Sequence, residues 1–167
     1  MSGIREFDDL AKTFRSMEKA LSNSELSKIV KPAANPILVA AKAAAPKDTG
    51  TLADGIILHK ERSRFPGKVV YDVYMDPKKN GIFQKPILQP VRSKIPYAYY
   101  PASQEHGFFT RRSDGGMTYT RPDGSVAGMS KVPGKHFMRT GAEVSGEAAK
   151  LEIADKAIAA VEKAFGG

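Results

Sequence analysis

A chain of 167 residues can bury one core without covalent staples, and its lack of cysteine removes disulfides, thiolate metal sites and a cysteine nucleophile together. The formal charge is +8, which suits encounter with nucleic acid or acidic protein surfaces without dictating a fold. The excess lies in the middle of the chain, with +5 over residues 55–106 and +3 over 107–136 against −1 over 137–167.

The N-terminal MSGIREFDDL has acids and bases where a signal peptide needs an apolar run, and the apolar run Pro36 to Ala45 is short and broken by Lys42. A soluble, unexported protein with no membrane partner is expected. Ile4, Phe7, Leu10, Phe14, Met17 and Leu21 recur at steps of three and four, predicting an amphipathic helix whose stripe faces a core or a subunit. Ser22 and Glu25 form a Ser-x-x-Glu capping box for a second helix. Pro32 and Pro36 predict either a kink or a restart with Asn35 as N-cap and Pro36 at the first helical position.

An alanine-rich helix then meets Pro46, which predicts its end at Ala44 or Ala45. Asp48 can accept a bond from the backbone two residues on, and Gly50 permits a positive φ, so the residues specify a corner that returns the chain to the core at Leu52. Gly55–Lys60 and Lys68–Met75 read as antiparallel strands around a turn at Phe65-Pro66-Gly67. Prolines at 77, 86, 90, 96 and 101 predict an extended proline-rich arm over residues 77–101. Tyr97, Tyr99 and Tyr100 lead to Glu105-His106-Gly107, read as a buried strand end whose Glu105 accepts backbone or arginine hydrogen bonds. The glycine-bearing stretch 108–134 reads as a flexible loop with a hairpin at Arg121-Pro122-Asp123-Gly124. From Val144 a last long helix carries Val144, Ala148, Leu151, Ile158, Val161 and Phe165 on one stripe. The expected fold is α+β: a small antiparallel β-sheet packed against N-terminal helices and a long C-terminal helix, in one domain with a long proline-rich arm and a glycine-rich loop.

Signs of catalysis are sparse. His59, His106 and His136 stand far apart with no metal-ligand spacing. Asp48-Thr49-Gly50 also occurs in aspartic proteases, but those need two such loops after apolar strands, and here an alanine helix and a proline precede the triplet. No cofactor, metal site or enzymatic activity is expected. No zinc-finger spacing, RNP pattern or basic recognition helix supports a dedicated nucleic-acid binder.

Pro46, Asp48, Thr49, Gly50 and Leu52 resemble the Pro-x-Asp-Thr-Gly-x-Leu signature of a family of tailed-phage proteins described as tail components and as tail-completion or head-tail joining proteins. Two later stretches follow that family's order: Tyr100 to Gly107, with Tyr100, Glu105 and Gly107, and Pro133 to Arg139, with Pro133, Phe137 and Arg139. The chain departs from the pattern at Pro101, Gln104 and Thr140-Gly141. The resemblance implies a structural virion protein at the phage neck or head-proximal tail end, assembled in the host cytoplasm. It also implies a homo-oligomeric ring, a hexamer, around the DNA channel, in contact with neck, head-closure, tail-terminator or tail-tube proteins and only non-specifically with DNA. Lys78, Lys79, Lys85, Arg92, Lys94, Arg111, Arg112, Arg121 and Lys131 are the candidate partner or channel contacts, otherwise a solvated face. A tail terminator or head-closure protein of similar ring architecture and a basic nucleic-acid-associated protein are the alternatives.

Overall fold

The computed structural model describes the backbone of residues 2–86, 97–112, 117–120 and 126–165, and the side chains of 11–86, 97–108 and 131–165. The fold is α+β and divides into two compact units, one of residues 1–40, 57–74 and 141–167, the other of 41–56 and 75–140.

The first unit is helical at both ends of its sequence. Helix α1 (Ser2–Ala20) and helix α2 (Asn23–Ala44) meet at a sharp turn. Ser22 starts α2: its carbonyl accepts from Leu26 at 2.9 Å, while its Oγ lies a long 3.5 Å from the Glu25 N–H. The reciprocal half of the expected capping box is absent, because Glu25 instead takes Lys28 at 2.7 Å. Helix α2 does not restart at Asn35; Pro32 and Pro36 lie inside one continuous helix. Both prolines are exposed while Ala33 and Ala34 are buried, so the breaks in the hydrogen-bond ladder fall on the side that solvent can satisfy.

Strand β1 (Ile56–Lys60) pairs with strand β2 (Tyr71–Met75). The Glu61 N–H donates to the Val70 carbonyl at one end and the Asp76 N–H to the Gly55 carbonyl at the other, which makes the pair antiparallel as expected. His59 meets Tyr74 edge-on at 5.6 Å. The long helix α6 (Phe137–Phe165) begins seven residues before the predicted start. Its predicted apolar stripe is turned outward: Val144 is 69 % exposed, Leu151 66 %, Ile158 56 % and Phe165 60 %. Beyond its first turns the buried position is Ala149, and Ala160 and Ala164 face α1 and α2, where Ser16 Oγ donates to the Ala164 carbonyl at 3.0 Å. Small residues let helices approach closely, so the packed face is the alanine face. Phe14, placed on the α1 stripe from its spacing, is also exposed.

The second unit holds the large buried side chains. Ala45 closes the last turn of α2 by donating to Ala41 at 3.0 Å, the predicted stop. Gly50 has φ 73 and precedes a short helix, α3 (Thr51–Asp54), that the sequence reading passed over. Leu52 and Ile56 are buried, as are Phe83 and Phe137. The proline-rich stretch does not begin as an extended arm. A 3-10 turn (Pro77–Lys79) and helix α4 (Asn80–Phe83) drive Phe83 into the core, and strand β3 (Gln84–Pro86) pairs antiparallel with strand β4 (Tyr97–Tyr99). The Asp76 carboxylate accepts from the Lys78 N–H at 2.9 Å, capping a turn that has Pro77 at its first position. Residues 87–96 of the predicted arm lie outside the described residues.

Tyr100–His106 is a helix, α5, rather than a strand end. Pro101 stands in its first turn, where the missing N–H costs nothing. The stretch read as a flexible loop carries an antiparallel sheet of strands β5 (Gly107–Arg112), β6 (Met117–Thr120) and β7 (Val126–Pro133) in the order β5-β7-β6. Residues 121–124, the predicted hairpin turn, lie outside the described residues; the strands on either side pair antiparallel.

Candidate functional site

The corner after α2 is closed by Thr49 rather than Asp48. Thr49 Oγ1 accepts from the Thr51 N–H at 3.4 Å and donates to Thr51 Oγ1 at 2.8 Å, while Asp48 stands exposed. A Cβ on Gly50 would meet nothing within 4 Å. The glycine is therefore required by its φ and not by crowding. Gly50→Val should cost about 1–3 kcal/mol through the backbone alone, and Asp48→Ala, which removes no turn bond, should stay within about 0.5 kcal/mol. Thermal melts check both; an unchanged melting temperature in Gly50→Val would overturn the strain argument.

The second and third motifs are two halves of one joint. Both carboxylate oxygens of Glu105, near the end of α5, accept backbone N–H groups from the first turn of α6: Met138 to Oε2 at 2.9 Å and Arg139 to Oε1 at 3.2 Å. The first N–H groups of a helix have no partner within it and carry partial positive charge, so a carboxylate from another element caps the helix as a local side chain would. The backbone repeats the clasp, with the Lys135 N–H donating to the Gln104 carbonyl at 2.7 Å and the His136 N–H to the Glu105 carbonyl at 3.2 Å. His136 adopts φ 50 to make this turn. Gly107 has φ 86, and a Cβ there would lie 2.5 Å from the Val132 carbonyl oxygen. A Cβ on Gly134 would lie 2.2 Å from the Glu105 carbonyl oxygen. Gly134, the second residue of the Pro133–Arg139 stretch, was not singled out by sequence as a joint residue.

Phe137, the first residue of α6, is buried, while Pro133 and Arg139 are exposed. An open cavity of about 240 Å³ brings the first two motifs together, lined by Asp48, Thr49, Thr51, Ile82, Phe83, Lys85 and Tyr100. Beside it Tyr99 meets Phe83 edge-on at 6.3 Å, and burial raises the Tyr99 phenol above its ordinary range. Of the motif residues, Leu52 and Phe137 build core, Gly50 and Gly107 build turns, and Glu105 builds the cap.

The candidate basic contacts whose backbone is described lie on four elements, the 3-10 turn and three strands. Lys78 and Lys79 are in the 3-10 turn, Lys85 is exposed on β3 and Lys131 is exposed on β7. Arg111 and Arg112 are on β5, opposite Met129 and Gly128 in the register, and Arg92, Lys94 and Arg121 lie outside the described residues. Among the described residues no three His, Asp or Glu side chains converge as metal ligands. No helix among them is long and apolar enough to cross a membrane.

Among the described residues the site is thus a set of joints that fix backbone. No curated protein and no solved structure matches the chain. Residues 8–100 match the family described as "Bacteriophage HK97-gp10, putative tail-component". That span contains α2, the Pro46–Leu52 corner and the β1–β2 pair and ends at Tyr100; Glu105, Gly107 and the Pro133–Arg139 stretch fall beyond it. With more than half its length inside the match, the chain belongs to the HK97-gp10-like family of bacteriophage tail components.

Proposed function

We propose that this tail component is a ring-forming structural protein of the phage neck, which joins the head to the tail or completes the tail around the DNA channel. The observation that carries this reading is the uneven distribution of apolar side chains. In the second unit Ile56, Phe83 and Phe137 are fully buried while Ile82, Tyr97 and Phe108 are exposed; in the first, the buried side chains among the described residues are alanines, while Phe14, Val39, Phe65, Val144, Leu151, Ile158 and Phe165 are exposed. Four of these, Val144, Leu151, Ile158 and Phe165, form one row along α6, and exposed apolar patches mark protein interfaces. Assembly rather than turnover is what the fold is built to support.

Ring formation is expected to depend on partners. Sedimentation of the purified protein should show monomer or small oligomer, with ring-sized species appearing when head or tail partners are added. Gold-labelled virions should carry this protein at the head-proximal end of the tail. A chain that stays monomeric both alone and in disassembled virions would overturn the ring, and label along the tail tube or at its distal end would overturn the neck. Salt-titrated DNA binding separates the nucleic-acid alternative, since a dedicated binder keeps appreciable affinity near physiological salt.

A further inference from the structure

Helix α6 exposes Val144, Leu151, Ile158 and Phe165 at a strict spacing of seven, a row about 31 Å long at 1.5 Å per residue. At about 3.6 residues per turn the charged residues that fall among them are Glu147, Asp155 and Glu162, all acidic and all exposed. Lys156 and Lys163 turn to the other side, where with Lys19 and Lys28 they line the groove beside α1 and α2. Lys150, which pairs along the helix with Glu147, is the base at the edge of the row. The face is therefore apolar and acidic on a chain whose remainder is strongly basic.

A matching surface exists in the same unit. The loop between β1 and β2 presents Phe65, 68 % exposed, among exposed Arg62, Arg64 and Lys68, against the one acid Glu61. Its conformation is fixed, since the Phe65 carbonyl accepts from Asn23 Nδ2 at 3.0 Å and from Ser63 Oγ at 3.2 Å. Arg64, Pro66 and Gly67 sit against the α1–α2 turn at Leu21, Ser22 and Asn23. The outward row of α6 is opposite the alanine face that packs on α1 and α2, so the loop and the row are distinct surfaces.

We infer that the α6 row of one copy receives the Phe65 loop of a second copy, with Phe65 seated among the row's aliphatic side chains and Arg62, Arg64 and Lys68 facing Glu147, Asp155 and Glu162. Two rows meeting face to face would gather the acids of both copies with only Lys150 to offset them, which disfavours a two-fold pairing. A contact between two different surfaces repeats from copy to copy and closes into a ring when its rotation allows. An anchoring aromatic surrounded by arginines is the kind of group that carries most of an interface's energy. This contact rests on the ring reading above and names its two surfaces.

Because the chain has no cysteine, two single-cysteine variants decide it. Pro66→Cys places a thiol beside Phe65, and Ala148→Cys places one between Val144 and Leu151; both positions are exposed. An irreversible bis-maleimide traps even a contact of about millimolar dissociation constant, so no stable oligomer is required. The mixture of the two purified variants should give a cross-linked heterodimer well above either variant alone and above a mixture in which Gly81→Cys replaces Ala148→Cys. Asp155→Lys with Glu162→Lys in the α6 partner should lower that yield about tenfold, and Arg62→Glu with Arg64→Glu in the loop partner should restore it. Dominant self-linking of Ala148→Cys would overturn the head-to-tail contact in favour of a two-fold one. A mixed yield no higher than the Gly81→Cys control would overturn it outright. The readout uses purified protein, so its failure removes this contact while the neck assignment stands, and a misplaced virion label removes the neck while the contact stands.

Discussion

A phage that lacks this protein is expected to fill its heads and build its tails, yet leave the two lying separate in micrographs, or joined in particles that do not infect. The chain belongs to a tail-component family, and its described residues build backbone joints and an outward apolar face on α6. A ring at the junction acts once per particle and needs no turnover. Purified protein added to the defective extract should therefore restore plaques in proportion to the amount added, and the rescue should saturate at a few copies per particle. Leu151→Lys, on the exposed row of α6, should fold with an unchanged melting temperature, since it removes no buried contact, yet fail to rescue. A catalytic role would show as rescue by far fewer copies than particles. Empty heads with tails joined normally would decide against the neck, and poor replication with normal joining would favour the nucleic-acid alternative.

Features encoded in neighbouring residues were the legible ones. A proline after an alanine run fixes a helix stop, and a glycine between a threonine pair fixes a positive φ, so the corner at Pro46 to Leu52 could be read without knowing its surroundings. Glu105 was rightly read as an acceptor of backbone hydrogen bonds, but its donors are thirty-three and thirty-four residues away at Met138 and Arg139, and no local pattern names them. That distant carboxylate also explains the early start of α6: Gly141 and Gly146 weaken helix propensity there, and a tertiary cap overrides it. The β5-β7-β6 sheet was missed because the glycines of 108–134 were counted as loop, although Phe, Thr, Tyr and Val between them favour strands. The apolar row of α6 was legible from its period as one stripe, and the structure turns it to solvent. Periodicity reports that a face is apolar; it does not report whose side chains cover it.

Two glycine-to-alanine changes, only a few turns apart, should move stability in opposite directions. At Gly134 an added Cβ would sit 2.2 Å from the Glu105 carbonyl oxygen and 2.7 Å from the His106 carbonyl carbon. Both atoms are backbone, so no side chain can swing aside; the clasp of Lys135 and His136 on Gln104 and Glu105 must open instead. Overpacking of this kind costs about 3 kcal/mol or more, and loss of the Glu105 cap on α6 adds about 1 kcal/mol. For a chain of this size that lowers the melting temperature by roughly 10 °C. At Gly146, inside α6, an added Cβ meets nothing within 4 Å, and the change simply replaces a poor helix former with the best one. Gly146→Ala should stabilise by about 0.5–1 kcal/mol, or roughly 2 °C. Glu105→Gln should fall between, since its amide oxygen can cap one N–H but its nitrogen cannot accept the other. Thermal melts of the three variants, read with amide exchange at Met138 and Arg139, test the joint directly. If Gly134→Ala melts like the unaltered protein, the α5–α6 clasp is not what holds the start of α6. If Gly146→Ala also destabilises, that stretch of helix is packed against something the exposed face does not show.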